Sequence, residues 1–126
     1  AARDIFSMAY VATVQDAIDA AEKGADCLVP HVGATSGGLV GHETETKVDE
    51  EIRKISEMID AVMAAGHAPI FLCHGGKIAL PEDTRRVYED TQCVGFVGAS
   101  SIERIPIEHA VKTIAENFKS IPFSKR

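Results

Sequence analysis

The sequence predicts an α/β protein built on a parallel sheet. A strand pattern and a helix pattern alternate four times along the chain, and the strand patterns are apolar runs rather than clean apolar and polar alternations. Most of the ten glycines follow the strands, where parallel α/β folds place their ligand sites. We therefore expect four successive βα units with the functional surface at the carboxyl ends of the strands.

Cap and turn residues divide the chain into these units. Thr13 with Asp16 is a helix-start signal, Gly24 and Gly66 are typical helix-end glycines, and Pro81 suits the first turn of a helix. The predicted elements are, in order, strand 5–11, helix 14–23, strand 26–32, a polar loop over 33–47, helix 49–65, strand 69–74, a short helix from Pro81, strand 93–98 and helix 107–118.

Two of the predicted helices carry an apolar face. The spacing in the second helix predicts one buried side, made of Ile52, Ile55, Ile59 and Val62. The last helix places on one side Ala110, Val111, Ile114 and Phe118. Both helices are expected to cover the sheet.

Four βα units are either half of a (β/α)8 barrel or a small doubly wound sheet. The first strand is not followed by G-x-G-x-x-G, so a dinucleotide-binding fold gains no support. We predict the C-terminal half of a (β/α)8 TIM barrel, as a single domain over residues 1–126.

Composition excludes several classes of partner. The net charge is −6 and no Lys/Arg stripe is present, so we expect no nucleic acid partner. The apolar runs are far shorter than the roughly 20 residues of a membrane span, so we expect no membrane partner. The chain begins without Met or a signal-peptide core, which suggests a processed or excised start.

The cysteines indicate a reducing compartment. Cys27, Cys73 and Cys93 are odd in number, and each lies in or beside an apolar strand. This suits small buried hydrophobic residues better than disulfides. We predict a cytoplasmic location.

Two histidines lie at strand ends and are the first candidate catalytic residues. His31 precedes a loop that contains Thr35 and Ser36, and His74 precedes Gly75 and Gly76. Imidazole exchanges protons near neutral pH, while hydroxyls and backbone N–H groups bind anions. A barrel would bring both strand ends to one mouth. The alternative is that both histidines are structural, bonded to neighbouring strands.

The end of the last strand is a candidate phosphate site. Gly98 is followed by Ser100 and Ser101, and Ser101 is placed to cap a short helical turn before Pro106. Barrels often bind phosphate after their final strands at such a turn. The serines as simple helix caps are the alternative.

The remaining titratable residues are assigned to solvent or to helix ends. A divalent cation could use two of the acids Glu43, Glu45, Glu82 and Glu103. A charged loop, a helix first turn and, for Glu103, a pairing with Arg104 or solvent explain them better. Solvated positions are expected for His42, His67 and His109.

At these same residues the chain resembles a known family. Residues 31–38 (HVGATSGG), 72–76 (LCHGG) followed by Pro81 and Glu82, and 97–106 (VGASSIERIP) are similar to the phosphoenolpyruvate hydrolase-like, or phosphonopyruvate hydrolase-like, TIM-barrel proteins. The resemblance extends from the first strand to the last helix. It implies a complete barrel of about eight βα units, of which the first four are absent here.

The resemblance implies a function for the predicted site. The substrate would be a small anionic acid such as phosphoenolpyruvate or phosphonopyruvate, with His31 and His74 as the acid/base pair. Phosphate or phosphonate would be held by Gly75, Gly76, Gly98, Ser100 and Ser101, and the carboxylate would be oriented by Thr35 and Ser36. Any magnesium ion, as in the related phosphoenolpyruvate mutase superfamily, would have its ligands outside this chain.

A non-catalytic reading remains open. The same mouth could hold a regulatory anionic ligand, or loop 33–47 could engage a protein partner. Either way, four strands of a barrel leave two open edges and an uncovered inner face. We therefore expect a close partner, either the missing half-barrel or a second copy in a homo-oligomer.

Overall fold

The structure is a computed structural model that describes residues 4–41 and 43–122. His42, expected to be solvated, lies outside the described residues. The elements are, in order, β1 (Met8–Val11), α1 (Val14–Glu22), β2 (Cys27–Pro30), α2 (Val48–Ala64), β3 (Ile70–Cys73), α3 (Pro81–Asp90), β4 (Gly95–Phe96), α4 (Ser100–Glu103) and α5 (Ile105–Lys119).

The four strands form one parallel sheet in the order β1-β2-β3-β4. A doubly wound sheet reverses its strand order at a switch point, whereas a barrel adds each strand beside the previous one. Crossovers of one hand then carry the helices to the same side of the sheet. The sequential order confirms the predicted half of a TIM barrel.

The two faces of the sheet differ in burial. Leu28 and Phe71 are register partners and pack with the helices in the core, where Ile55 and Ile59 are almost completely buried. On the opposite face Met8 is 52% exposed. Tyr10 shares this face because side chains two residues apart on a strand point the same way. In a closed barrel this second face points to the interior.

The predicted caps and the buried face of the second helix are confirmed. The Thr13 hydroxyl accepts the Asp16 N–H at 3.1 Å at the start of α1. Gly24 and Gly66 follow α1 and α2 with φ of +83° and +87°, a conformation that favours glycine. The residues that α2 buries include all four of the predicted face, Ile52, Ile55, Ile59 and Val62.

The fourth unit is less complete than the other three. Strand β4 has two residues, and of the α5 side chains only Ile105 is buried. The predicted apolar side of α5 is exposed, with Val111 at 64%, Ile114 at 56% and Phe118 at 73%. This helix therefore has an apolar face that the described chain does not cover.

Several predicted boundaries were wrong by one to three residues. The strands are shorter than predicted because the ladder ends where the neighbouring strand ends; Ser7, predicted as strand, instead donates its N–H and hydroxyl to Asp26 Oδ2 at 2.7 and 2.8 Å. The last helix begins at Ile105, and α4 precedes it as a separate short helix. Ser101 is not a helix cap, since Ala99 occupies the N-cap position of α4.

The prediction that the cysteines are small buried residues is confirmed, since Cys27, Cys73 and Cys93 are buried and not disulfide-bonded. Among the described residues, no helix has the length and apolar character needed to cross a membrane.

Candidate functional site

Three rings meet at the carboxyl ends of β1, β2 and β3. The ring centroids of His31 and His74 lie 5.2 Å apart, and Tyr10 lies 5.7 Å from His31 and 5.2 Å from His74 in edge-on contacts. The histidine backbones also form a bridge between β2 and β3. The two histidines singled out in the sequence are thus direct neighbours.

Tyr10 was missed in the sequence. It is 51% exposed on the uncovered face of the sheet, so its ring contacts the imidazoles from the side that would face a barrel interior. The signal that could have found it is its position: it lies two residues beyond Met8 on a strand whose partner carries His31. Sequence reasoning gave no reason to prefer a tyrosine there over any other β-forming residue.

The His74 ring is held in one orientation. It is 8% exposed, and its Nδ1 lies 2.7 Å from the carbonyl oxygen of Val97 at the end of β4. A carbonyl can only accept, so Nδ1 carries the proton of this hydrogen bond. In the neutral ring, Nε2 is then the basic atom.

The surroundings of His31 lower the pKa of its imidazole. Burial lowers the pKa of its imidazole, and the nearby His74 lowers this pKa further because two positive charges would repel. His31 also borders a cavity of about 270 Å³ whose other lining residues include Lys54 and Glu57 of α2. The charged form of His31 is therefore disfavoured beside His74.

Hydrogen bonds join the loops that follow the two histidines. The N–H of Gly76 donates to Gly33 O at 2.8 Å, and the Ser36 N–H and hydroxyl both donate to Gly76 O, at 2.8 and 3.0 Å. The Val32 N–H donates to His74 O at 3.4 Å. Ser36, predicted to orient a carboxylate, uses its hydroxyl in this contact, while Thr35 lies half-buried in the same loop.

Glycine at 75 and 76 is required by the packing of these loops. Their φ angles are +91° and +59°. A Cβ at Gly75 would overlap Gly33 O, and one at Gly76 would overlap the carboxylate of Glu51. The N–H groups of Gly76 and Lys77 already donate to Gly33 O and Glu51 Oε2. These glycines therefore allow a close approach of protein to protein, which differs from the approach to an anion expected from the sequence.

The residues of the predicted phosphate site at 98–101 lie on two different sides of the sheet. The N–H of Val97 donates to Cys73 O at 2.9 Å, so Gly98 begins directly beside the His74 strand end. The Ser101 hydroxyl is buried, has no hydrogen-bond partner among the described residues, and borders a largely apolar cavity of about 530 Å³. This cavity also contains Phe96, a register partner of Cys73 on the helix-covered face. Ser100 is half-buried at the start of α4.

A second feature missed in the sequence is an ion pair that holds loop 37–41 against the start of α5. Arg104 Nη1 contacts Glu108 Oε1 at 2.8 Å, and Nη2 donates to Gly37 O at 3.1 Å. Glu108 Oε2 in turn accepts the Leu39 N–H at 2.6 Å. Arg104 therefore pairs with Glu108, one helical turn beyond Glu103, and of the two partners expected for Glu103, Arg104 or solvent, the exposed Glu103 side chain has solvent.

Within the described ranges, no group of three or more His, Cys, Asp or Glu side chains could hold a metal ion. The acids considered in the sequence lie at the surface: Glu43, Glu45, Glu82 and Glu103 are exposed. His109 is exposed as expected, and His67 is half-buried.

Fold and site together define a half-barrel α/β protein with an imidazole pair at the carboxyl end of its strands. The family described as phosphoenolpyruvate hydrolase-like matches residues 1–121, so the chain belongs to that family. The resemblance inferred from three short motifs is thereby confirmed.

Three relatives are similar to the chain. The ToMV susceptible protein tm-1(GCR26) and the ToMV resistance protein Tm-1(GCR237), both from Solanum lycopersicum, are each 38% identical over 113 residues, which are 89% of this chain. A Sinorhizobium fredii protein, y4pA, provisionally named as a transcriptional regulator, is 29% identical over 119 residues, or 94% of this chain. The chain spans 15% of the length of each tomato protein and 20% of the bacterial one.

Proposed function

We propose that the imidazole pair is the acid/base centre of a hydrolase acting on a small phosphorylated or phosphono 2-oxo acid. The observation that carries this proposal is the contact of His74 with Val97 O, which leaves Nε2 as the basic atom of a ring 5.2 Å from His31. The family description supports the substrate class. The centre would operate in a completed barrel.

The two imidazoles would have separate roles. His31, whose pKa is lowered, would take a proton from water as the water oxygen attacks phosphorus. His74 would act in its protonated form, with Nδ1–H on Val97 O, and would give its Nε2 proton to the oxygen or carbon that leaves as its bond to phosphorus breaks. The Tyr10 ring would limit the space beside both imidazoles.

The remaining predicted residues would bind the anionic groups of the substrate. Gly98 and Ser100 lie at the end of β4 beside the His74 strand end, which supports a phosphate or phosphonate contact there. Gly75 and Thr35 stay in this proposal as contacts to the anionic groups. The Gly76 N–H and the Ser36 hydroxyl are already donated to Gly33 O and Gly76 O, and Ser101 borders the cavity on the helix-covered side. Any magnesium ion would be held by residues outside this chain.

The direct test is turnover of phosphoenolpyruvate and phosphonopyruvate by the complete protein, followed by phosphate release. His31→Ala and His74→Ala should each lower the rate by roughly 10²–10⁴-fold, the usual contribution of a general acid or base. His109→Ala is the matched control, because His109 is an exposed histidine on α5. Variants that keep full turnover would remove the proposal.

The alternative is a non-catalytic binding module, and one feature favours it. Leu39 and Val40 of the held loop and Ile107 and Val111 of α5 are exposed, and they line one apolar groove of about 510 Å³. The names of the relatives concern ToMV susceptibility, ToMV resistance and transcriptional regulation. Calorimetric binding of phosphoenolpyruvate without phosphate release would favour this reading.

We further propose that residues 1–126 are one domain and that a second four-stranded half closes the barrel. The exposed face with Met8, Tyr10 and Ile70 and the uncovered side of α5 support this, since each would be buried by closure. A preceding segment of a longer protein or a second copy would serve, and sedimentation of the isolated chain distinguishes them. A monomer with cooperative unfolding would contradict the proposal.

The cellular location is also a proposal. The three buried cysteines without disulfides support a reducing, cytoplasmic compartment.

A further inference from the structure

A buried carboxylate lies under the turn that follows His74, and the function proposed above does not use it. Glu51 is in the first turn of α2 but is only 1% exposed. It lies one helical turn before Ile55, on the same buried side as Ile59 and Val62. Acids in a first turn usually stay in solvent, so this position is unusual for glutamate.

Its carboxylate contacts the segment next to His74. Glu51 Oε2 accepts the N–H of Lys77 at 2.7 Å, and the carboxylate fills the space in which a Cβ of Gly76 would lie. Gly76 is fixed from the other side by Gly33 and Ser36. The turn is therefore held between the β2–α2 loop and one carboxylate.

Keeping a charge in this place costs free energy. Burial raises the pKa of Glu51; the Lys77 N–H and the ammonium groups of Lys54 and Lys77 oppose that rise, while Asp83 adds to it. An apolar side chain of similar size would avoid the desolvation cost but would leave the Lys77 N–H without an acceptor. The acceptor, rather than packing, is what glutamate contributes here.

We propose that Glu51 is a positioning residue for His74. By fixing the turn at Gly75 to Lys77 it sets the backbone from which His74 extends, and so the placement of the ring relative to His31 and Val97 O. This inference rests on the proposed acid/base function for its catalytic consequence. Its structural consequence, the placement of the His74 ring, does not depend on turnover.

The test compares Glu51→Leu, which removes the acceptor, with Glu51→Gln, whose amide oxygen can still accept the Lys77 N–H. Glu50→Gln is the matched control, because Glu50 is the exposed neighbour on the same turn. In the complete protein with ¹³C-labelled histidine rings, the signals of His31 and His74 are assigned from His31→Gln and His74→Gln and followed through a pH titration. Turnover of phosphoenolpyruvate is measured in parallel.

Glu51→Leu should shift the His74 signal, move the His31 titration midpoint and lower kcat by roughly 10²-fold with a smaller change in KM, as expected for a misplaced catalytic group. Glu51→Gln should stay near the parent protein in all of these measurements. If Glu51→Leu fails to fold, Glu51→Asp, which withdraws the carboxylate by one methylene, should produce the same ring shifts.

The proposal is overturned if Glu51→Leu or Glu51→Asp lowers the urea midpoint while both ring signals and the His31 midpoint stay unchanged. That result would make Glu51 a structural residue only. If the rings shift but the parent protein has no turnover, the positioning role stands and the hydrolase proposal fails. The two ideas are therefore separated by one set of variants.

Discussion

Helices α2 and α5 have similar length and a similar apolar side, yet only one of them is buried. The side chains that α2 buries include Ile55, Ile59 and Val62, whereas α5 buries Ile105 alone. The difference lies in their surroundings. Helix α1 contacts both its own strand β1 and the next strand β2, and α2 is followed in turn by β3, whereas among the described residues no strand follows α5.

The comparison shows that an apolar helix face specifies a need for a partner surface and not the surface itself. In a barrel each helix covers the groove between two adjacent strands. For α2 both strands belong to this chain. For α5 the second strand would have to come from another half, so among the described elements only α4 packs substantially against it.

The largest expected effect is on the stability of the isolated chain. Ile59→Ala removes a core side chain that is 1% exposed and should lower the free energy of unfolding by about 2–5 kcal/mol. Ile114→Ala, at a position that is 56% exposed, should change it by less than about 0.5 kcal/mol. Urea denaturation of both variants measures the difference.

The two variants, Ile59→Ala and Ile114→Ala, should also be compared in the complete protein. There Ile114→Ala should become costly, because the proposed closing half would cover α5. If Ile114→Ala stays neutral in the complete protein, α5 is not part of the barrel wall and the closure proposal loses its main support.

The next largest loss of stability is expected in the turn at 75–77, which contacts Glu51 of α2. Gly76→Ala combines a positive φ with overlap of the Glu51 carboxylate, and should cost about 1–3 kcal/mol or more. Gly24→Ala is the matched control, since it has a similar positive φ but no neighbouring atom near the added Cβ. Equal losses in the two variants would show that the Glu51 contact adds nothing to the backbone cost.

Much of this architecture could be read from the sequence, because it depends on local signals. Thr13 indicates the start of a helix, and Gly24 and Gly66 indicate helix ends. The spacing of Ile52, Ile55 and Ile59 predicts the buried face of α2. The neighbouring positions of His31 and His74 followed from a general property of parallel sheets, whose strand ends meet at one edge.

The contacts that were missed all join distant segments. Glu108 meets Leu39 across 69 positions, and Glu51 meets Lys77 across 26. A charge on the apolar side of α2 was a visible signal for Glu51. No local pattern shows which loop will reach Arg104, since that depends on the path of 37–41 in three dimensions.

The stability that Glu51 of α2 contributes should depend on pH. The folded pKa of Glu51 is raised, mainly by burial, so its contribution to stability is present below its unfolded pKa and is lost as pH rises through the folded pKa. Glu51→Gln cannot lose this contribution. The stability of Glu51→Gln relative to the parent chain should therefore increase from about pH 4 towards neutrality, as measured by urea denaturation. A difference that does not vary with pH would contradict the raised pKa.

The smallest expected effect is local and lies at the α5 end of the comparison. Glu108 and Glu116 each pair with a basic residue four positions earlier, but only Glu108 also accepts the Leu39 N–H from loop 37–41. Glu108→Ala should therefore speed hydrogen exchange of the Leu39 amide while leaving the urea midpoint nearly unchanged. Glu116→Ala should affect neither measurement, because the Lys112–Glu116 pair is exposed and longer, at 3.8 Å.

The same contact should depend on pH. The Arg104 guanidinium, followed by the Leu39 N–H, lowers the pKa of Glu108. The contact is therefore present above the unfolded pKa of the carboxyl and is lost as pH falls through the lowered folded pKa. Exchange at Leu39 should accordingly lose its protection in acid in the parent chain and show no such step in Glu108→Ala. Unchanged Leu39 exchange in Glu108→Ala would mean that the loop is held by Arg104 and Gly37 alone, and that the apolar groove formed with Ile107 and Val111 does not depend on the ion pair.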